Sequence, residues 1–160
     1  MHDARHRIEA LARAPVVLCS ACLLGYRCRY DGADRRNPAV ERALAGKAVV
    51  PICPEEAGGL STPRPAADLS GGTGEAVLSR RARVLTHEGE DVSDAFVRGA
   101  ELACEAAQRY CAGVALLKEG SPSCGVRRVW QEGARVPGQG VTAAALSRAG
   151  VVVISEEELP

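Results

Sequence analysis

Four short runs of aliphatic residues, separated by segments with helical features, constrain the fold of this chain most. The runs begin at Val16 and at Ala48, and they recur at residues 114–117 and 151–154. Each run is too short for a typical helix and is rich in Val, Ile or Leu, which is typical of strands buried on both faces. The pattern therefore predicts a parallel sheet that is covered by helices on both faces.

Helix signals lie between these runs. Asn37 is a candidate cap for a short helix with Pro38 at its first position and Gly46 after its end. Asp91 is a candidate cap for the longest helix, and a last helix is expected over about residues 141–149. The order of elements is thus an alternation of strand and helix.

Less regular structure is expected elsewhere. A stretch rich in glycine and proline, residues 54–74, predicts a long loop, and residues 76–86 predict a small β-hairpin. Residues 1–14 are expected to be loosely ordered or to form a short helix. The chain has 160 residues, 46% of them hydrophobic, which suits one core. We expect a single α/β, Rossmann-like domain over residues 1–160, with a mostly parallel sheet, helices on both faces and a small β-hairpin insertion.

The charge balance argues against a long nucleic acid as partner. Lys plus Arg equals Asp plus Glu at 20 each, so the chain has no net positive field to hold a polyanion. Aromatic residues make up only 3%, and Tyr26, Tyr30 and Trp130 are the ones expected in loops. The first fourteen residues lack the apolar stretch of a secretory signal or membrane span. We expect a cytoplasmic protein that acts on a small molecule and has no membrane partner.

Three of the seven cysteines follow predicted parallel strands. Cys22, Cys53 and Cys124 come after the first, second and third of these strands. Ligands of open parallel sheets bind at the carboxyl ends of strands, and neighbouring strands lie roughly 4.8 Å apart. Three thiolates favour a metal site with an open position, and soft thiolates favour iron-sulfur chemistry. The alternative is that each is simply a buried thiol at the end of a strand.

The remaining cysteines have simpler explanations. Cys104 and Cys111 lie on the apolar stripe of the long helix, and Cys19 lies inside the first strand, so all three are expected to pack in the core. Cys28 lies in an arginine-rich loop, where an accessory or reactive role is open.

Four segments of the chain resemble a known family. The strings are SACLLGYRCRYDG at 20–32, PICPEEAGGLSTPRP at 51–65, LLKEGSPSCG at 116–125 and GVTAAALSRAGVVVISEEEL at 140–159. Together they are similar to the DUF523 family, whose characterised members include thiouracil desulfidases. The resemblance covers nearly the whole chain after residue 15.

The resemblance implies a cofactor and a reaction. The cofactor is a 4Fe-4S cluster held by three cysteines, which match Cys22, Cys53 and Cys124, with one open iron site. Members of this kind remove sulfur from thiolated pyrimidines without net oxidation or reduction, and hydrosulfide leaves. The implied function is a hydrolytic desulfidase acting on thiouracil or a related thiolated pyrimidine base or nucleotide.

Candidate catalytic groups lie close to the cysteines in sequence. Asp31 and Glu55 are the carboxylates that can divide acid and base duties, although Asp31 also suits a turn before Gly32. Ser121 can hydrogen-bond the substrate or a developing oxyanion, and the family match makes it a candidate proton carrier. Its alternative role is to hold the Pro122 loop.

Other polar and small residues carry weaker expectations. Arg64 can pair with a carboxylate, bind a phosphate or remain solvated. Gly58 and Gly59 permit a close approach of the backbone to a ligand, or form an ordinary turn. The three histidines, His2, His6 and His87, lie away from the motifs in sequence and receive no chemical role.

Two other functions remain open. One is a sulfur-transfer enzyme that forms a persulfide, with Cys28 as the candidate carrier. The other is a non-catalytic module that binds a metal or an iron-sulfur cluster.

Overall fold

The computed structural model describes residues 3–160, which form eight strands, six α-helices and two short 3-10 helices. In chain order the elements are α1 (Ala4–Arg13), β1 (Val16–Ser20), a 3-10 helix (Ala21–Leu24), α2 (Pro38–Leu44), β2 (Ala48–Ile52), α3 (Pro54–Ala57), β3 (Ala67–Ser70), α4 (Gly74–Leu78), β4 (Arg83–Thr86), α5 (Ser93–Arg109), β5 (Val114–Leu117), β6 (Arg128–Gln131), β7 (Ala134–Pro137), α6 (Val141–Arg148), β8 (Val152–Ser155) and a second 3-10 helix (Glu156–Glu158).

The four aliphatic runs form one parallel sheet with the strand order β2-β1-β5-β8. Val17 pairs with Val49 on one side and with Val114 on the other, and Leu116 pairs with Ile154. This confirms the parallel sheet predicted from the sequence. Strands β2 and β5 have the predicted bounds, because their flanking glycine, proline and cysteine residues mark where each run stops.

Successive residues of β1 pack into different cores, as the alternation of side chains along a strand requires. Val17 and Cys19 lie in a core that also contains Leu11 of α1 and Leu44 of α2. Leu18, between them, lies in a second core with residues of α5 and α6. Helices therefore cover both faces of the sheet, which confirms the predicted α/β class.

The cap predicted for α2 is confirmed at Asn37, whereas Asp91 lies one residue before the N-cap of α5, which is Val92. The side chain of Asn37 accepts a hydrogen bond of 2.9 Å from the backbone N–H of Ala39, and Pro38 occupies the first position of α2. The carboxylate of Asp91 accepts a hydrogen bond of 2.9 Å from the backbone N–H of Ser93, where α5 begins. Each acceptor satisfies an N–H group that the helix leaves without an internal partner.

A second four-stranded sheet, with the order β4-β3-β6-β7, corrects two of the sequence predictions. The loop predicted for residues 54–74 contains α3 and β3, and the hairpin predicted for residues 76–86 is instead the end of α4 followed by β4. The antiparallel partner of β4 is β3. These strands have only four residues each, and β3 also pairs with the distant β6, so no local pattern marks them.

The second sheet also changes the position of Trp130. The sequence placed this residue in a loop, but it lies in β6, which forms an antiparallel hairpin with β7. Phe96 and Ala100 of α5 pack against Val129 of β6 beneath this sheet, so α5 supports both sheets.

None of the helices within residues 3–160 is long and apolar enough to cross a membrane.

Candidate active site

A cavity of about 630 Å³ opens at the carboxyl ends of β1, β2 and β5. Its walls come from both sheets, since the loops after the parallel strands supply one side and β3, β6 and β7, with His87 after β4, supply the other. The candidate ligand, catalytic and ligand-binding side chains that line it are Cys22, Cys28, Cys53, Glu55, Arg64, Ser121 and Cys124.

The three predicted ligand cysteines come from adjacent strands. Strand β1 pairs with both β2 and β5, so the residues that follow these strands lie side by side. Cys22 lies in the 3-10 helix after β1, Cys53 immediately precedes α3, and Cys124 lies in the turn after β5. Within residues 3–160, no three His, Cys, Asp or Glu side chains converge closely enough to hold one metal ion. The three thiols line one cavity but do not converge on a single point.

Burial keeps two of these thiols protonated. Burial raises the pKa of Cys22 to about 11, and nearby Arg29 and Lys118 act in the opposite direction. Burial also raises the pKa of Cys124, although a hydrogen bond with Ser20 lowers it. Because metals bind thiolates, metal binding by these cysteines must release protons. A positively charged ligand would stabilise the thiolates that result.

Cys53 differs because a fourth cysteine lies beside it. A hydrogen bond from the Cys28 thiol lowers the pKa of Cys53 to about 7, against the effect of burial. The same contact raises the pKa of Cys28, and burial adds to this rise. The Cys53 thiol also lies 3.6 Å from the carbonyl oxygen of Cys28. The loop cysteine left open by the sequence is therefore part of the cavity wall and contacts a candidate ligand.

The residues fit an iron-sulfur cluster better than a single ion. Each thiolate ligand of a cubane binds a different iron atom, so thiols that share a cavity without converging suit a cluster. Arg29 lines the same cavity, and its buried Nε makes no hydrogen bond within the described chain. Its nearest carboxylate oxygen, on Asp31, lies 3.9 Å away.

Two glycines fix the helix that carries Glu55. A Cβ atom at Gly99 of α5 would lie 2.0 Å from the carbonyl oxygen of Pro54, and one at Gly58 would lie 2.0 Å from that of Ala95. Only glycine permits this contact between α3 and α5. The close approach predicted at Gly58 is therefore made to a helix, whereas Gly59, with φ of +103°, forms a turn.

The carboxylate of Glu55 is paired inside the cavity wall. Arg64 Nε donates a hydrogen bond of 3.1 Å to Glu55 Oε1, and the Arg64 side chain is only 5% exposed. Burial raises the pKa of Glu55, while Arg64 opposes the rise. Arg64 also donates to the carbonyl oxygen of Cys28 at 2.8 Å. Of the alternatives for Arg64, the structure supports pairing with a carboxylate.

Ser121 organises the turn that presents Cys124. Its Oγ accepts hydrogen bonds of 3.0 Å from the backbone N–H groups of Ser123 and Cys124. The serine thus performs the turn-forming role that the sequence left as an alternative. Since these bonds use the oxygen's lone pairs, the hydroxyl hydrogen of this cavity-lining side chain is left to donate. The Ser121 hydroxyl can therefore hold the turn and still donate a hydrogen bond into the cavity.

A buried glutamate anchors the segment after Cys124. Glu119 is a cavity-lining residue that sequence reasoning missed, and its side chain is fully buried. Burial raises its pKa, but hydrogen bonds from the backbone N–H groups of Arg127, Arg128 and Val126 and from the Arg127 side chain lower it to about 2. A carboxylate with this many donors is a rigid anchor for the start of β6.

Asp31 lies outside the set of residues that line the cavity. Its carboxylate accepts a hydrogen bond of 3.0 Å from the backbone N–H of Ala33, which is the turn expected before Gly32. This bond lowers the pKa of the exposed Asp31 side chain. Its neighbours Arg29 and Tyr30 do line the cavity. The catalytic role of Asp31 stays a prediction.

The second sheet supplies a wall that the sequence did not reveal. Trp130 and Arg135, from β6 and β7, line the cavity, as do Asp68 and His87. His87 Nε2 lies 3.4 Å from Asp68 Oδ1, so this histidine is near the site although it is distant from the motifs in sequence. Hydrophobic pattern alone gives no signal for these residues, because long-range strand pairing brings them here.

The remaining cysteines and histidines lie elsewhere. Cys19 is fully buried, as expected, and Cys104 is half-buried. Cys111 is exposed, which corrects the prediction that it packs in the core. It lies beyond the end of α5 with a positive φ of 56°, so the apolar stripe of the helix does not extend to it. His6 does not line the cavity, and His2 lies outside the described residues.

Comparison with known proteins adds three findings. The model of the family described as 2-thiouracil desulfurase matches residues 17–158. The protein YbbK of Bacillus subtilis (strain 168) is 42% identical over 147 residues, which cover 90% of this chain and 97% of YbbK. A solved structure named [4Fe-4S]-dependent thiouracil desulfidase TudS is also 42% identical, with a TM-score of 0.77 and coverage of 90% of this chain and 92% of its own.

Proposed function

The chain belongs to the 2-thiouracil desulfurase family, and from this we propose that it is a 4Fe-4S-dependent enzyme that removes sulfur from thiouracil or a related thiolated pyrimidine base or nucleotide. The observation that carries the proposal is the position of three cysteines on one cavity, at the ends of the adjacent strands β2, β1 and β5. The similar structure named as a [4Fe-4S]-dependent thiouracil desulfidase supports the cofactor.

Cys22, Cys53 and Cys124 are the proposed ligands of the cluster, with one iron left open. When bound, such an iron supplies a Lewis acid for a thione sulfur. Three protein ligands leave one corner of a cubane for substrate, in the same way that catalytic metal sites keep one position free. Cys28 contacts Cys53 and stays outside the proposed ligand set.

The overall reaction is a hydrolysis without redox change. Oxygen from one water molecule replaces the thione sulfur on the ring carbon, and hydrosulfide and a proton leave. Glu55 presents a carboxylate in the cavity wall, held by Arg64, and this carboxylate takes a proton from the attacking water. The Ser121 hydroxyl, oriented by its two backbone donors, donates to the ring or to a developing oxyanion.

Asp31 is the second proposed acid-base residue. It follows Arg29 and Tyr30, which line the cavity, and the backbone N–H of Arg64 donates to the carbonyl oxygen of Tyr30 at 2.8 Å. The loop of Asp31 is therefore joined to the segment that holds Glu55. This connection supports a shared role for the two carboxylates.

One assay tests the proposed function. Protein reconstituted anaerobically with iron and sulfide is incubated with 2-thiouracil, and uracil and hydrosulfide are both measured. We expect the two products in equal amounts, without an added reductant or oxidant. Full cluster loading with neither product would contradict the enzyme and favour a non-catalytic cluster module.

A sulfur-transfer enzyme is the second candidate, since Cys28 lies in the cavity and contacts Cys53. A persulfide carrier at this position is lost in Cys28→Ser. We expect this variant to keep its turnover of thiouracil within about 2-fold, because Ser retains a hydrogen-bond donor for Cys53. Cys111→Ser, which changes an exposed thiol, is the matched control. Loss of turnover in Cys28→Ser alone would favour the persulfide route.

A further inference from the structure

We infer that Trp130 is a stacking platform for the pyrimidine ring of the substrate, and that it sets substrate affinity rather than the rate of the chemical step. The inference deepens the proposed function and rests on it. Trp130 is the single tryptophan of the chain, and it is 41% exposed although it is a large aromatic residue. The observation behind the inference is that this ring lines the same cavity as the three candidate ligand cysteines.

The alternation of β6 points the tryptophan away from the core. Val129, the preceding residue, is fully buried under the second sheet. Adjacent residues of a strand face opposite sides, so Trp130 faces the other side of the hairpin, where it forms part of the cavity wall. The exposed ring therefore lies in the proposed substrate site.

Arg135 supports the ring from the neighbouring strand. It is the direct cross-strand partner of Trp130, and its guanidinium carbon lies 5.8 Å from the centre of the ring. At this distance a guanidinium group interacts favourably with an aromatic ring. Arg135 also lines the cavity, so a cation lies beside the exposed ring.

The hairpin is anchored at its turn and along β6. The backbone N–H of Gly133, in the hairpin turn, donates a hydrogen bond of 2.8 Å to the Asp68 carboxylate, and that of Glu132 donates to the Leu69 carbonyl at 3.0 Å. Val129 forms a bridge with Gly120, next to Ser121. A ring on an anchored strand is preorganised, so stacking on it costs little further conformational entropy.

Among the other cavity residues, Tyr30 comes nearest to such a surface, since it is 41% exposed and has the guanidinium carbon of Arg29 at 5.6 Å from its ring. Tyr30 is the second cavity-lining Trp, Tyr or Phe within residues 3–160, and it lies in the loop after the first 3-10 helix rather than on a strand. Indole also has a larger π surface than phenol. Stacking of a base on an aromatic ring contributes roughly 1–3 kcal/mol, so removal of the ring should weaken binding by about 10-fold or more.

The test compares Trp130→Ala and Trp130→Phe with the wild type, all anaerobically reconstituted. We expect Trp130→Ala to raise both KM for 2-thiouracil and the inhibition constant of uracil by about 10-fold, with kcat within about 2-fold. Trp130→Phe should change each constant by less than about 3-fold, because a stacking surface remains. Uracil should also quench the fluorescence of Trp130 in the wild type, with saturation at concentrations near its inhibition constant.

Tyr110→Ala is the matched control. Tyr110 is 51% exposed and has the guanidinium of Arg109 at 5.7 Å from its ring, yet it does not line the cavity. We expect this control to leave every constant unchanged. Wild-type turnover with unaltered KM and inhibition constant in Trp130→Ala, or a fall in kcat alone, overturns the role of Trp130 and leaves the proposed function standing. Absence of turnover in the wild type overturns the proposed function, and this inference with it.

Discussion

The guanidinium of Arg64 connects two walls of the cavity, because it donates to Glu55 Oε1 at 3.1 Å and to the carbonyl oxygen of Cys28 at 2.8 Å. It makes two further contacts, with Ser61 and Thr62 of its own loop. One arginine thus holds the carboxylate proposed to activate water and the loop that carries the fourth cysteine.

Replacement of Arg64 by methionine should destabilise the protein. The Glu55 carboxylate would lose its partner in a largely buried position, and two backbone carbonyls would lose a donor, so we expect a loss of about 2 kcal/mol in the free energy of unfolding. Urea unfolding at pH 7 measures the effect. The control is Arg36→Met, which removes an exposed pair with Glu41 and should leave the free energy of unfolding nearly unchanged, because solvent screens such a pair. Equal effects would contradict the structural role of Arg64.

Glu119 should make stability depend on pH in the acid range. Its pKa is lowered from 4.5 to about 2 in the folded state. The unfolded chain therefore binds this proton more readily, so the stabilisation is complete above pH about 4.5 and is lost as pH falls toward about 2. Glu119→Gln should be less stable by about 2 kcal/mol at pH 7, and the gap to the wild type should narrow below pH about 4.

Urea unfolding between pH 7 and pH 3 measures this difference. The control is Glu88→Gln, which changes an exposed side chain. A constant gap between Glu119→Gln and the wild type across this range would show that Glu119 is not the group responsible.

Ser121→Ala should slow turnover by about 100-fold while iron remains bound, since a proton-transfer group is lost. Because the serine also accepts two backbone hydrogen bonds, a local structural effect must be separated from a chemical one. The control is Ser123→Ala, which disturbs the same turn by removing the 2.8 Å bond between the Ser123 and Thr142 hydroxyls but leaves the Ser121 hydroxyl in place. Equal rates in the two variants would remove Ser121 from the mechanism.

Asp31→Asn tests the second carboxylate without breaking its turn. An asparagine oxygen can still accept the hydrogen bond from Ala33, so only the charge and the proton-carrying group are lost. We expect turnover about 100-fold slower with unchanged iron content. Asp34→Asn is the control, because Asp34 forms the same kind of turn with the backbone N–H of Arg36 at 2.8 Å. A rate like that of this control would leave Asp31 with a turn-forming role alone.

The parallel sheet could be predicted because the residues that mark each strand and helix lie close together in sequence. Each buried strand is a continuous aliphatic run, and Asn37 and Pro38 mark a helix start within two residues. The second sheet could not be predicted in the same way. Leu69 finds its partner at Gln131, sixty-two positions along the chain, and strands of four residues carry too few side chains to show a period.

The same distinction applies to the site. The place of Cys22, Cys53 and Cys124 on the cavity could be predicted, because each follows a strand whose end the sequence marks. Glu119 gave no such signal, since its importance comes from backbone donors at Val126 and Arg127 that only the folded turn brings to it. The strand that contains Trp130 could not be predicted either, because β6 pairs with β3, which is distant in sequence.

The iron and sulfide content of anaerobically reconstituted single variants tests whether three cysteines hold a 4Fe-4S cluster. We expect about four iron and four sulfide per chain for the wild type and for the controls Cys104→Ala and Cys111→Ala. We expect a large loss of both for Cys22→Ala, Cys53→Ala and Cys124→Ala, because each removes one of three protein ligands. Full loading of any of these three variants, or a wild-type protein that binds no iron, would contradict the proposed cluster site.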